Sequence, residues 1–261
     1  MKKILFGMLL LAFAGFLNAK DTYSIAFVNL DMDYREYDDY GQILDSEQSD
    51  SLVGVELSYG MDLECNQQEC SKIKLNFMGI RGDTDYIGAY LGSGLPYGSV
   101  RSTTKNKIYD FNIEGSKVLN FEVANLIYGI NIGYHSWYRE LSSYQNEQYT
   151  WFYVAPIIGV SKDIIKGLNI AASIQYKYGL RPKMVANAIT NEFKLGGVNT
   201  LQINIPVRYE LNEYIDIFTE YVYVNQKIKK SDLVLQSGYF FYEPKSTDNQ
   251  NYLKVGISFK Y

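Results

Sequence analysis

The chain predicts an all-β fold: a closed, antiparallel up-and-down β-barrel that crosses a membrane, with ten strands and with eight or twelve as the alternatives. Three observations predict it. Apolar and polar residues alternate with period two through segment after segment, as in strands with one face in grease and one in water. The connections between these segments alternate in length, short then long. The chain is rich in rings, with 25 Tyr, 13 Phe and 2 Trp, which suits aromatic belts at the two membrane interfaces. In lipid every backbone N–H and C=O must be paired within the protein, so a spanning sheet has to close.

The elements follow in order. Lys2 and Lys3 precede an apolar run from Ile4 to Leu17, then Asn18-Ala19 and the charged Lys20-Asp21. Charge, length and the small residue before the cut read as a secretory signal peptide, residues 1–19. The run is short of the roughly 20 residues that a spanning helix needs. Strands are expected over 23–36, 51–64, 72–80, 107–114, 124–135, 150–161, 168–178, 201–211 and 214–225, with a last one ending at Tyr261. The clearest is 201–211, where Leu201, Ile203, Ile205, Val207, Tyr209 and Leu211 oppose Gln202, Asn204, Arg208 and Glu210. Segments 23–36 and 150–161 alternate with an ambiguous phase. Pro156 and Pro206 fall inside expected strands, where the missing donor breaks the ladder unless a bulge absorbs it. The long connections are expected at 37–50, 81–106, 138–149, 179–199 and 226–250. The short ones fall at 65–70, 115–122, 162–167 and 212–213.

Composition narrows the function classes. Removing the signal's two lysines takes the net charge from −4 to −6. An acidic chain without a basic cluster argues against nucleic acid and against a polybasic lipid-binding patch. Cys65 and Cys70 read as a disulfide closing a small hairpin in an exported protein. The chain-entropy model gives such a short loop roughly 2 kcal/mol. No two further soft ligands stand near them to make a metal site, and nothing calls for a cofactor.

The last strand carries the most specific signal. Leu253, Val255, Ile257, Phe259 and Tyr261 alternate with Lys254, Gly256, Ser258 and Lys260. The chain resembles bacterial outer-membrane β-barrels, similar in kind to the membrane domain of OmpA and to opacity-type surface proteins. The resemblance implies that Gly256, Phe259 and Tyr261 form the signal read by the barrel-insertion machinery. It also implies an outer-membrane location with lipid around the wall. The short turns and both termini, with Cys65 and Cys70, then lie on the periplasmic side.

The alternation sends Glu56, Asp62, Glu64, Lys72, Lys74, Asp110, Glu114, Lys177, Arg208, Asp216, Glu220, Lys254 and Lys260 into the lumen. Charges of both signs imply an internal salt-bridge network that plugs the barrel, or a narrow polar channel. Ten-stranded barrels include the omptin proteases, which use an acidic pair and an Asp-His pair at the rim. Here Asp83-Thr84-Asp85 and the only histidine, His135, are the matching residue types, but Gly133 stands where the second Asp would be. Barrel lipid A deacylases use a His-Ser-Glu set; His135-Ser136 lacks their spacing, and adjacent strand residues point to opposite faces. Arg81-Gly82-Asp83 is a tripeptide used by some adhesins and is expected in a surface loop. Tyr239, Phe240, Phe241 and Tyr242 are expected at an exposed loop tip, where aromatics commonly mark binding surfaces. The expected role is structural and surface-interacting through extracellular loops, with a narrow passive channel and a rim hydrolase as alternatives.

Overall fold

The structure, a computed structural model, describes residues 21–89, 95–187 and 189–261. The expected signal peptide lies outside the described residues. Ten long strands form the wall: β1 (Asp21–Tyr37), β2 (Ile43–Cys65), β3 (Glu69–Gly88), β4 (Val100–Leu119), β5 (Asn125–Glu140), β6 (Asn146–Ile165), β7 (Leu168–Ala186), β9 (Val198–Asn212), β10 (Ile215–Ile228) and β13 (Lys245–Lys260). Each pairs antiparallel with its neighbours, and β1 pairs with β13 to close the ring. Three short strands lie in the long connections: β8 (Phe193–Lys194), β11 (Val234–Gln236) and β12 (Tyr239–Phe241).

The strands are longer than the alternation suggested. β2 has 23 residues and β3, β4 and β6 have 20 each, against about 9–11 for a tilted transmembrane strand. The wall therefore rises well beyond the lipid on the side of the long connections. Those connections are shorter than expected. Of the 81–106 segment, β3 takes the residues up to Gly88 and β4 those from Val100. At the other end β4 runs through Gly115 to Leu119, and only 120–124 is turn. The turn between β2 and β3 carries the Cys65–Cys70 disulfide. Asn66 shapes it, its side-chain carbonyl accepting from the backbone N–H of Gln68 and Glu69.

The two ambiguous strands have a common cause. In β1 the outward residues are first apolar, Tyr23, Ile25 and Phe27, and then polar, Asn29, Asp31, Asp33 and Arg35. The inward residues do the reverse: Thr22, Ser24 and Ala26 give way to Val28, Leu30, Met32 and Tyr34. The geometry keeps its period while the chemistry of the two faces swaps near residue 28. β4 repeats the outer half of this change, with Tyr109, Phe111 and Ile113 exposed to lipid and Lys107, Lys105 and Thr103 exposed above them. In β6 both faces are apolar where the levels meet, with Phe152 and Val154 outward and Trp151 and Tyr153 inward. At lipid level the barrel is apolar outside and polar inside. Above it the barrel is polar outside and holds a packed core of Leu30, Met32, Leu52, Ile80, Ile108 and Trp137.

The prolines are absorbed without a bulge. β6 pairs with β7 at Val154–Tyr178 and again at Ile157–Gln175 in one register. The ladder simply lapses around Pro156. β9 and β7 do the same around Pro206, between Val207–Ile170 and Asn204–Ser173. Both lapses face β7, so each proline turns its missing donor to the same neighbour.

Ile174 is exposed in the middle of the outward run of β7. The change Ile174→Arg should cost about 2–4 kcal/mol if it lies near the bilayer midplane. Urea titration of folding into vesicles measures this, and an unchanged midpoint would contradict the lipid-facing assignment.

Candidate functional site

The lumen has three levels. At the lowest, Arg208 donates through Nη1 to Asp216 Oδ2 (3.1 Å) and Ser258 Oγ (2.9 Å). Lys260 Nζ stands 2.7 Å from Asp216 and 3.2 Å from Glu210. Higher up, Lys254 Nζ lies 2.8 Å from Glu56 and 3.2 Å from Glu220, tying β13 to β2 and β10. Of the inward charges read from the alternation, Glu56, Glu220 and Lys254, and Arg208, Asp216 and Lys260, thus meet as ion pairs, which is how charges of both signs persist in a narrow interior.

The middle level is built around Asp110 of β4. Tyr153 of β6 donates to its Oδ1 (2.8 Å), Asn112 donates to Oδ1 (3.0 Å), and His135 Nδ1 lies 3.2 Å from Oδ2. The Lys177 ammonium sits 4.6 Å from the centre of the Tyr153 ring. His135 stacks on Trp151 with centroids 4.4 Å apart. Gly133, opposite Tyr153 in the β5–β6 register, leaves the space this ring uses; a Cβ there would overlap it. These groups line a cavity of about 80 Å³ together with Glu56, Met78 and Lys254. That is room for a few waters.

The uppermost level is held by Arg139, whose side chain is 0% exposed. From β5 it reaches across the lumen. Nε and Nη2 donate to Glu47 Oε1 of β2 (3.1 and 2.7 Å), and Nη1 to Glu36 of β1 (3.1 Å) and Glu147 of β6 (2.9 Å). The rings of Tyr34, Trp137 and Tyr149 surround the guanidinium at 4.6, 5.2 and 5.8 Å. A donor chain along the wall steadies Glu47: Trp137 Nε1 to Asn106 (2.8 Å), Asn106 to Thr84 (2.8 Å), Thr84 to Glu47 (2.7 Å). Arg is suited to this place because its planar fork serves several carboxylates and its weakly hydrated face stacks on rings.

The residues singled out for rim chemistry are not brought together. Asp83 and Asp85 lie on the outer, solvent face of β3, opposite Lys105 and Thr103, whereas His135 points into the lumen. The barrel wall stands between them. Arg81-Gly82-Asp83 lies within β3 rather than in a loop, and Gly82 faces inward where a side chain would collide with Leu52. Packing accounts for that glycine. Of the four tip aromatics, Tyr239, Phe240 and Tyr242 are exposed, while Phe241 turns in against the core. The Arg139 cluster lies mostly in stretches read as loops, and the alternation of Trp137 and Arg139 with Tyr138 and Glu140 is its one sequence signal.

No protein-family model matches the chain, and no curated protein matches it. Among solved structures, the outer-membrane protease OmpT from Escherichia coli matches with a TM-score of 0.52 and 11% identity, over 94% of this chain and 97% of that one. The translocator domain of the autotransporter NalP from Neisseria meningitidis matches with a TM-score of 0.45 and 8% identity, over 100% and 96%. Ail, the attachment invasion locus protein of Yersinia pestis, gives 0.35 and 11%, over 94% and 100%.

Replacing Arg139 by Ala would leave three buried carboxylates without their shared cation, a loss expected to cost about 3–5 kcal/mol. The temperature at which the barrel loses its compact gel mobility should fall accordingly; an unchanged temperature would remove Arg139 from its bracing role. With ten antiparallel strands, a closed ring and a lipid-level apolar belt, the chain has the fold of the outer-membrane β-barrels.

Proposed function

We propose that this protein is a non-conducting barrel of the outer membrane whose work is done at its extracellular rim, by contact with surface material. The filled lumen is the observation that carries the reading. Ion pairs occupy the lipid level, the Asp110 set the middle, and an apolar core with Arg139 the top. An interior filled in this way supports a barrel that passes neither ions nor solutes. What remains exposed is the rim, where Tyr40, Tyr144, Tyr239 and Phe240 are among the most exposed rings. Large rings held out in water have a cost that binding repays. OmpT is a protease, but here the acids and the histidine that a rim hydrolase would use stand on opposite sides of the wall.

Delivery follows the same reading. Residues 1–19 act as the export signal and are removed. Gly256, Phe259 and Tyr261 serve the insertion machinery, and the Cys65–Cys70 turn and both termini face the periplasm. Changing Phe259 and Tyr261 together to Ala should lower the amount of folded barrel recovered from the outer membrane, while the purified variant still refolds in detergent. Normal recovery from cells would remove the signal role.

Planar-bilayer recording on the wild-type barrel tests the central reading. A silent bilayer is expected. Reproducible ohmic steps would replace the reading by a channel. The double change Tyr239→Ser and Phe240→Ser should lower retention of purified barrel on whole target cells or surface polysaccharide without altering its heat-dependent gel mobility. Equal retention would take the hairpin tip out of the contact surface.

A further inference from the structure

Two connections fold over the mouth of the barrel as a lid. Residues 189–197 carry β8 back onto β7, with Lys194 opposite Lys183 and Phe193 opposite Met184. Residues 229–244 run beside them: Leu195 bridges Ser231, Asp232 N–H donates to Lys194 O (3.0 Å), and Gly196 N–H donates to Lys230 O (3.1 Å). Phe193 and Leu195 join the core, and Val234 and Phe241 pack against it. Lys230 Nζ reaches Asp39 at 2.8 Å, so the lid is pinned to the β1–β2 connection, its neighbour around the ring.

One lid side chain, Glu243, enters the Arg139 chamber and is buried there. Its backbone N–H donates to Ser231 Oγ (2.8 Å), and its carboxyl accepts from the Tyr149 hydroxyl, which itself lies 3.2 Å from Arg139. The wall contributes Glu36 and Tyr34 from β1, Asp45 and Glu47 from β2, Arg139 from β5, Glu147 and Tyr149 from β6, and Asp248 from β13. With Glu243 that is six carboxyls sharing one chamber, of which Glu36, Glu47 and Glu147 bond the single guanidinium. Asp45 Oδ1 and Asp248 Oδ1 are buried without a hydrogen-bond partner. Such an excess of ionised acid does not survive in a dry interior; protons or a bound cation must offset it. A directly ligated metal needs several oxygens close together. Among the described residues, no three acids of this chamber bring ligand oxygens within 4.8 Å of one another. Protons are the species that fits.

We propose that closure of the lid is coupled to proton uptake in this chamber, with Glu243 as the lid's own proton-holding group, so that the mouth is tight in acid and loosens as pH rises. Burial, with Glu36 and Glu147 beside it, holds the Glu243 carboxyl well above the usual carboxylate range. An opened lid returns that group to water and its ordinary value. The closed state therefore binds more protons. Its advantage is complete below the ordinary carboxyl pKa, near ~4.3, and is lost as pH climbs through the raised value.

The chain's two tryptophans, Trp137 and Trp151, both lie in the lumen beneath the lid and are buried. Acrylamide quenching of their fluorescence in the folded, detergent-solubilised barrel reads the lid directly. Across roughly pH 4–9, the span between an ordinary carboxyl and a strongly raised one, wild-type quenching should rise severalfold. Glu243→Gln, which keeps a neutral group in place, should hold it low throughout. Tyr149→Phe, which removes the lid's anchor, should raise it at every pH, and it decides the matter if the first variant fails to fold. A flat wild-type profile, or a Glu243→Gln profile that tracks the wild type, would overturn the proposal. So would quenching that calcium suppresses at fixed pH while pH alone has no effect, since a bound cation would then do the work assigned to protons.

Discussion

A ten-stranded wall encloses an interior too wide to leave empty. Everything else in the structure follows from how that interior is filled. Side chains must meet across it, and whatever they carry must be satisfied there. At lipid level the inward face is polar, because the apolar residues are needed outside, so it is filled by pairs such as Lys254 with Glu56 and Glu220. Above the lipid the outward face meets water, and the inside is free to be a packed core.

The change of level explains why the wall can be so long without becoming a longer membrane span. The strands continue, but Asn29, Asp31 and Asp33 replace Tyr23, Ile25 and Phe27 on the outer face of β1. Solvent then takes the place of lipid, and the upper half is built like a soluble barrel standing on a membrane one. Arg139 marks the top of that half. Its single charge links β5 with β1, β2 and β6 through carboxylates, so the rim is braced across its width. A braced rim is a rigid base on which short connections can hold exposed rings such as Tyr40 and Tyr144 in place. Rigid presentation lowers the ordering cost of any contact made there.

Much of this was legible in the chain. Period-two alternation locates all ten wall strands, and the Cys65–Cys70 spacing gives the hairpin disulfide that the structure contains. The inward charges from Glu56 to Lys260 were visible because polar residues alternate with unmistakably apolar ones. The same reasoning failed where the outside turns polar. Reading strands by an apolar face stops at the end of the lipid, so 37–50, 81–106 and 138–149 looked like loops although most of each is strand. Glu47, Arg139 and Glu243 fall in such stretches or in the lid, and their meeting depends on contacts across the lumen that no local pattern encodes. Asp83 and Asp85 show the converse. Their spacing suggested a site, but the phase of β3 turns both outward while His135 turns in.

The swap of faces in β1 is the claim on which the account stands, and one cysteine scan tests it most directly. Tyr23, Ile25, Phe27, Asn29, Asp31 and Asp33 would each be changed to Cys in the full barrel in liposomes. Each variant would then be exposed to a charged, membrane-impermeant thiol reagent. The account predicts rapid labelling at 29, 31 and 33 and protection at 23, 25 and 27, with the break at the level where Val28 enters the core. Protection continuing through 33, or labelling that shows no break, would contradict a barrel whose upper half stands in water.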